Sequence, residues 1–183
     1  MQVLDFLELD PKKRYEIMAN TIIPRPIVVI ATENSYLNLA PFSYISPIGS
    51  KPPLLMVSIG RKKKNLDEPK DTFKNIKETK KATISLVSKE NYKIVEKIRE
   101  ELPFKRSEAE EFNVKTKKIL NNYPPILEGS NVAFFTTLYG TFETEEMATI
   151  PFFLKIEKVY IKAEADGITK IKNKFMIVNE LKE

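Results

Sequence analysis

Apolar runs rich in β-branched and aromatic residues dominate the middle of this chain, the composition that favours strands. "PIVVIAT" (26–32) reads as a buried strand. "SYLNLAPFSYIS" starts extended and alternating, then meets Pro41, which should interrupt the pairing. "PLLMVSIG" (Pro53–Gly60) and "ATISLVS" (82–88) are two further strands, and Pro124-Pro125 lead into a long one, "NVAFFTTLYGTFETEE". In "FFLKIEKVYIKAEAD", Phe152, Leu154 and Ile156 share one parity, while Val159, Ile161, Ala163 and Ala165 share the other. That phase change predicts a β-bulge near Glu157 and Lys158 if one face stays buried. "KFMIVNEL" supplies a final strand.

Helical signals are fewer. Asp10-Pro11 before "KKRYEIMAN" reads as a capped helix with Pro in its first turn. The strongest helix is expected over 88–102, capped by Ser88, with an apolar stripe of Ile94, Val95, Ile98 and Leu102. Ser107 and Glu110 form a capping-box pattern. Many strands, few short helices and no regular βαβ alternation predict a mainly β protein, an antiparallel β-barrel; the pattern alone leaves a sandwich open. No repeat or linker divides the 183 residues, so one domain spans 1–183.

Composition narrows the chemistry. There is no Cys and no His, which removes thiol nucleophiles, His-based triads and His- or Cys-based metal sites. An enzyme built this way would borrow its chemistry from a cofactor. The five glycines form neither G-x-G-x-x-G nor a P-loop. The net charge of +5 is modest and suits an anionic ligand better than nucleic acid. With no signal peptide and no apolar run of membrane-spanning length, the cytoplasm is the default expectation.

Two stretches could carry a site. In "NLAPFS", Pro41 would free neighbouring backbone groups, small Ala40 would admit a flat ring, and Ser43 adds a hydroxyl. The same residues also read as an edge strand entering a turn. In "SIGRKKKNLDEPKDTFKNI" (58–76), Gly60 allows close backbone approach and Arg61 can fork onto a phosphate. Lys70, Asp71 and Thr72 open a helix, with Asp71 or Thr72 as its cap. Residues Lys62 to Glu68 read as a solvated loop between these two ends.

Together, "PRPIVVIAT", "NLAPFSYIS", "PPLLMVSIGRK" and "PKDTFKNI" resemble the flavin reductase-like family, the FMN-binding split barrels, and the likeness runs from about Tyr15 to Asn179. The resemblance implies a homodimer of Greek-key split barrels, each holding FMN near the interface. It places Asn38, Ala40 and Ser43 along the isoalloxazine and ribityl chain. Ser58, Ile59, Gly60 and Arg61 would meet the ribityl-phosphate region, joined by Lys70, Asp71, Thr72 and Asn75, with Arg25 a weaker carry-over. Two features depart from the family pattern. The turn before Asn38 reads Glu33-Asn34-Ser35-Tyr36 without a Gly, so Asn34 would take φ > 0, and the tail beyond Asn179 is short. The implied activity is transfer of electrons from NAD(P)H through bound FMN to free flavin, ferric complexes or a partner protein, with no catalytic side chain named. The alternative is an FMN carrier or store without nicotinamide reactivity.

Overall fold

The computed structural model describes residues 3–162, 168–171 and 174–177. Helix α1 (Pro11–Thr21) begins under the Asp10 carboxylate, which accepts from the Lys13 N–H, with Pro11 in its first turn. Strands β1 (Arg25–Pro26), β2 (Val28–Glu33), β3 (Leu37–Phe42), β4 (Ile45–Ser50) and β5 (Pro53–Gly60) follow. Next come α2 (Asp71–Thr79), β6 (Lys81–Leu86), α3 (Tyr92–Lys97), α4 (Glu108–Glu111), β7 (Thr116–Lys117) and β8 (Ile126–Leu127). Two long strands, β9 (Val132–Thr141) and β10 (Thr149–Ile161), precede β11 (Ile168–Ile171) and β12 (Lys174–Ile177). The expected final strand beyond residue 177, and Ala163 and Ala165, lie outside the described residues. No helix among the described residues is long and apolar enough to cross a membrane.

Seven strands form one sheet in the order β3-β2-β6-β9-β10-β5-β4, every neighbour antiparallel. Its two edge strands, β3 and β4, are consecutive in sequence and joined only by Ser43 and Tyr44. So short a link keeps their ends within about 11 Å. The sheet must therefore curl until its edges meet, and they meet without being hydrogen-bonded neighbours. This is a barrel with a seam.

The barrel is filled by Val28, Ile30, Val57, Ile59, Ile84, Ile150, Phe152 and Leu154, with Ile76 and Phe73 of α2 packed against them. Outside it, Val29, Ala31 and Leu39 pack against Val95, Ile98 and Val114. β2 is thus covered on both faces, which accounts for its unbroken apolar run. The bulge in β10 is present: the register with β9 shifts between Ile156 and Lys158. Val159 and Ile161 pair with Phe134 and Val132 beyond it, yet both side chains are exposed.

Several local expectations are corrected. Pro41 does not interrupt the pairing, since β3 stays in register with β2 from Leu37 to Phe42. As an edge strand, β3 tolerates a missing donor on its outer side. Asn34 is not left-handed; among the described residues only Lys80, Lys105, Asn113 and Gly129 have positive φ. Its side chain instead donates to Glu78 Oε2 at 2.6 Å. The helix expected over 88–102 is confined to α3, because Asn91 is tied down by the Ser88 N–H, Glu128 O and Ser130 Oγ. At α4 the capping box does not form. Ser107 Oγ donates to Leu37 O at 2.6 Å and Glu108 Oε2 accepts from the Leu39 N–H at 3.0 Å, so both side chains cover the outer edge of β3.

Candidate functional site

A cavity of about 540 Å³ opens at the seam, within the size range of small-ligand sites. One wall is β3 and its link to β4: Asn38, Ala40, Pro41, Phe42, Ser43 and Tyr44. Ser58 of β5 also lines it, its N–H bonded to Tyr44 O at 3.0 Å, which carries the β4–β5 pairing on into the link. The connection between α3 and α4 closes the third side with Ile98, Arg99, Glu100, Glu101 and Leu102.

Beneath the cavity, the start of α2 is locked to the barrel by buried polar bonds. Asn38 Nδ2 donates to Thr32 Oγ1 at 3.1 Å and to Thr72 Oγ1 at 2.9 Å. Asn75 Nδ2 donates to the same Thr32 oxygen at 3.1 Å. Neither Asp71 nor Thr72 caps the helix; Lys70 holds the cap position without a side-chain bond. The Asp71 carboxylate is already engaged by Tyr36 Oη at 2.8 Å and by Lys63 Nζ at 2.9 Å.

The segment 61–70 is a braced hairpin. Lys63 N–H reaches Glu68 O at 2.9 Å, Lys70 N–H reaches Arg61 O at 3.0 Å, and Lys62 bridges to Pro69. The expected solvated loop is therefore corrected at Lys63, which is buried between Asp71, Glu68 and the Leu102 carbonyl. Lys62 remains exposed beside Asp67. Gly60 matters because a Cβ there would lie 3.3 Å from Lys70 Cε, so the lysine stem runs along bare backbone. Lys70 Nζ then meets Glu101 Oε1 at 3.0 Å, while Glu101 Oε2 accepts from the Lys64 and Asn65 N–H groups at 2.6 and 3.1 Å. Burial alone would raise the Glu101 pKa, but Lys70 and the two N–H groups hold it below the usual carboxylate range.

Of the residues singled out from the sequence, Asn38, Ala40, Ser43, Ser58, Lys70, Asp71 and Thr72 line the cavity together. Ile59 points into the barrel core, Gly60 carries the Lys70 stem, and Asn75 is buried behind Thr72. Arg61 is turned elsewhere. Its guanidinium donates to Met147 O at 2.7 Å and Thr144 O at 2.9 Å and faces Glu143 at 3.5 Å. Arg25 is buried at the end of α1, donating to Ile22 O and Ala19 O, with its guanidinium over the Tyr44 ring.

Sequence reasoning missed Lys63, Glu101, Glu108 and Tyr44. Glu108 is buried at the cavity wall, and burial pushes its carboxyl up to about 7. Tyr44 Oη is buried with no hydrogen-bond partner among the described residues, although its ring lies beside Tyr15. Glu101 and Glu108 gain their roles from segments distant in sequence, and Lys63 from the fold of its own hairpin together with Leu102, which no local pattern marks.

Comparison with known proteins agrees with this architecture. A family model described as the flavin reductase like domain matches residues 18–175. An uncharacterized protein of Aquifex aeolicus is 30% identical over 147 residues, 78% of this chain and 73% of its own. Another, from Halalkalibacterium halodurans, is 33% identical over 104 residues, 56% of this chain but only 49% of its own length. Among solved structures, nitrilotriacetate monooxygenase component B from Bacillus cereus superposes with a TM-score of 0.88 at 21% identity, covering 100% of this chain and 98% of that one. Pseudomonas fluorescens 2-nitrobenzoate 2-nitroreductase gives 0.86 at 18% identity, with 100% and 94% covered. A Shewanella frigidimarina protein with a flavin-reductase split barrel domain gives 0.81 at 18% identity, with 97% and 94% covered. At such identities the superpositions establish the fold, a mainly β split barrel, and the family match over most of the chain establishes the lineage. The chain belongs to the flavin reductase-like domain family.

Proposed function

We propose that this single-domain chain is an FMN-binding oxidoreductase that takes electrons from NAD(P)H and delivers them to free flavin, a ferric complex or a partner protein. Family membership supports flavin-related oxidoreductase activity. The observation that carries the finer reading is the make-up of the seam cavity. At one end Lys70 and the Lys64 and Asn65 N–H groups converge on an anionic group, the Glu101 carboxylate, and the wall beside it is small and polar at Ala40, Ser43 and Ser58. A phosphate suits the first and a planar ring system the second. The unpartnered Tyr44 hydroxyl adds a hydrogen-bonding group in the same wall.

In this reading Asn38, Ala40, Ser43 and Ser58 meet the ring and ribityl chain, and Lys70, Asp71 and Thr72 frame the phosphate end. Ile59, Gly60, Arg61 and Asn75 hold that frame in place. When bound, FMN would supply the redox chemistry, as a carrier between a hydride donor and an electron acceptor with the proton given up to water. The protein's part is to bind, orient and shield, and a chain without His or Cys can do all three. A homodimer belongs to the same proposal. It is supported by the exposed edge strand β4 and by exposed Ile22, Ile48, Tyr139, Phe142 and Ile161, apolar side chains that a second copy would cover. The test is whether protein reconstituted with FMN is bleached by NADH or NADPH without oxygen.

A further inference from the structure

The donors around Glu101 form an anion seat that the chain fills with its own carboxylate. Successive backbone N–H groups make an anion-binding concavity, and the Lys64 and Asn65 N–H groups both point at Glu101 Oε2. The Lys70 ammonium completes the set on Oε1. All three donors belong to the hairpin 61–70 or its end, which is braced by its own bonds whether or not Glu101 is there. The acceptor comes from the connection between α3 and α4, which has no helix or strand between residues 98 and 107. The hairpin holds that connection just beyond Glu101, where Leu102 O accepts from Lys63 Nζ at 2.7 Å and the Phe104 N–H donates to Glu68 Oε2 at 2.9 Å. The donors are fixed, while the acceptor is a side-chain carboxylate that can leave by rotating about its own bonds with residues 102–104 still held, which is the arrangement of a replaceable ligand. The seat also lies on the wall of the seam cavity, with Arg99 nearby on the same wall.

We infer that this seat takes the phosphate of the bound flavin and that Glu101 is a built-in competitor for it, displaced when a phosphorylated ligand enters. The inference rests on the flavin reading of the cavity. Glu101 then acts as a specificity and exchange residue. It weakens the hold on FMN enough for release, and it does nothing to riboflavin, which has no phosphate to compete with it. Lys64 and Asn65 contribute through backbone N–H groups, so their side chains gave no sequence signal.

The experiment compares FMN and riboflavin binding to the wild type, Glu101→Gln and Glu101→Ala. Both variants should bind FMN more tightly, by about tenfold for Glu101→Ala, with riboflavin unchanged. Equal changes for both flavins, or weaker FMN binding by variants that unfold like the wild type, would overturn the inference. Hydrogen exchange on the wild type gives a check free of mutation. FMN should increase exchange in residues 99–101, upstream of the bonds that hold Leu102 and Phe104, and riboflavin should not; protection of that segment by both overturns the displacement. If the wild type binds neither flavin, the functional reading fails separately. The seat is then judged by inorganic phosphate, which must raise the melting temperature of Glu101→Ala more than that of the wild type, and equal shifts would dismiss it.

Discussion

Lys63 carries its charge into the protein, where Asp71 Oδ2 at 2.9 Å, Glu68 Oε2 at 3.1 Å and Leu102 O at 2.7 Å take up all three ammonium protons. Removing one member of such a buried pair strands the other. Lys63→Met should therefore cost about 3–5 kcal/mol in urea unfolding, since Asp71 stays buried and loses its cation. Replacing Asp71 by Asn as well should recover part of that loss; no recovery would show that the pair is not what Lys63 contributes. Glu108 titrates at the same scale. Burial raises its folded pKa from 4.5 to about 7, so between those values the folded state holds a proton that the unfolded chain has lost. Stability from this group is present at the acid end and declines as pH rises through about 7, by roughly 3 kcal/mol in total. Glu108→Gln keeps an acceptor for the Leu39 N–H without the charge. Its stability relative to the wild type should grow from pH 5 to pH 8, and a constant difference across that range would contradict the assignment.

At the scale of elements, the hairpin 61–70 and the connection between α3 and α4 make the cavity out of strands that would otherwise end in a bare seam. β5 was legible with its boundaries and the start of α2 to within a residue or two, because Pro53, Gly60 and the polar start at Asp71 are local signals, though the cap is Lys70 and neither Asp71 nor Thr72. The partners of that hairpin were not. A run of Arg61, Lys62, Lys63 and Lys64 looks uniform in sequence, yet it divides into a cation on the turn 143–147, an exposed one, a buried one and one whose N–H holds Glu101. Arg61, Lys63 and Lys64 each meet a carboxylate or carbonyl tens of residues away, and even the nearer partners, Asp67 for Lys62 and Glu68 and Asp71 for Lys63, are set by how the hairpin folds back, which periodicity does not reveal. The division predicts unequal mutants. Lys70→Ala should weaken FMN binding by about 1–3 kcal/mol through loss of a charge-assisted bond. Arg61→Ala should change it less, because that guanidinium is spent on Thr144 and Met147. Fluorescence titration with FMN ranks the two, and a larger loss for Arg61→Ala would place the phosphate at the other end of the hairpin.

Across the whole molecule, the closing of the sheet follows from one short link. Ser43 and Tyr44 tie the two edges of a seven-stranded sheet together, and the cavity forms where the edges approach without pairing. The β10 bulge was legible because a parity change in a long apolar strand has few other causes. The exposure of Val159 and Ile161 after it was not, since alternation reports which face a residue shares and not where the barrel ends. A barrel whose seam offers an anion seat and a small polar wall, without a His or Cys anywhere in the chain, makes sense if the reactive group is brought in. The anaerobic titration of FMN-loaded protein with NADH and then NADPH tests that claim most directly. The account predicts loss of the oxidised-flavin absorbance at about one equivalent of one of the two nucleotides, with colour restored by free flavin or a ferric complex. A flavin that stays yellow through excess of both, or a protein that retains no FMN to titrate, would contradict it.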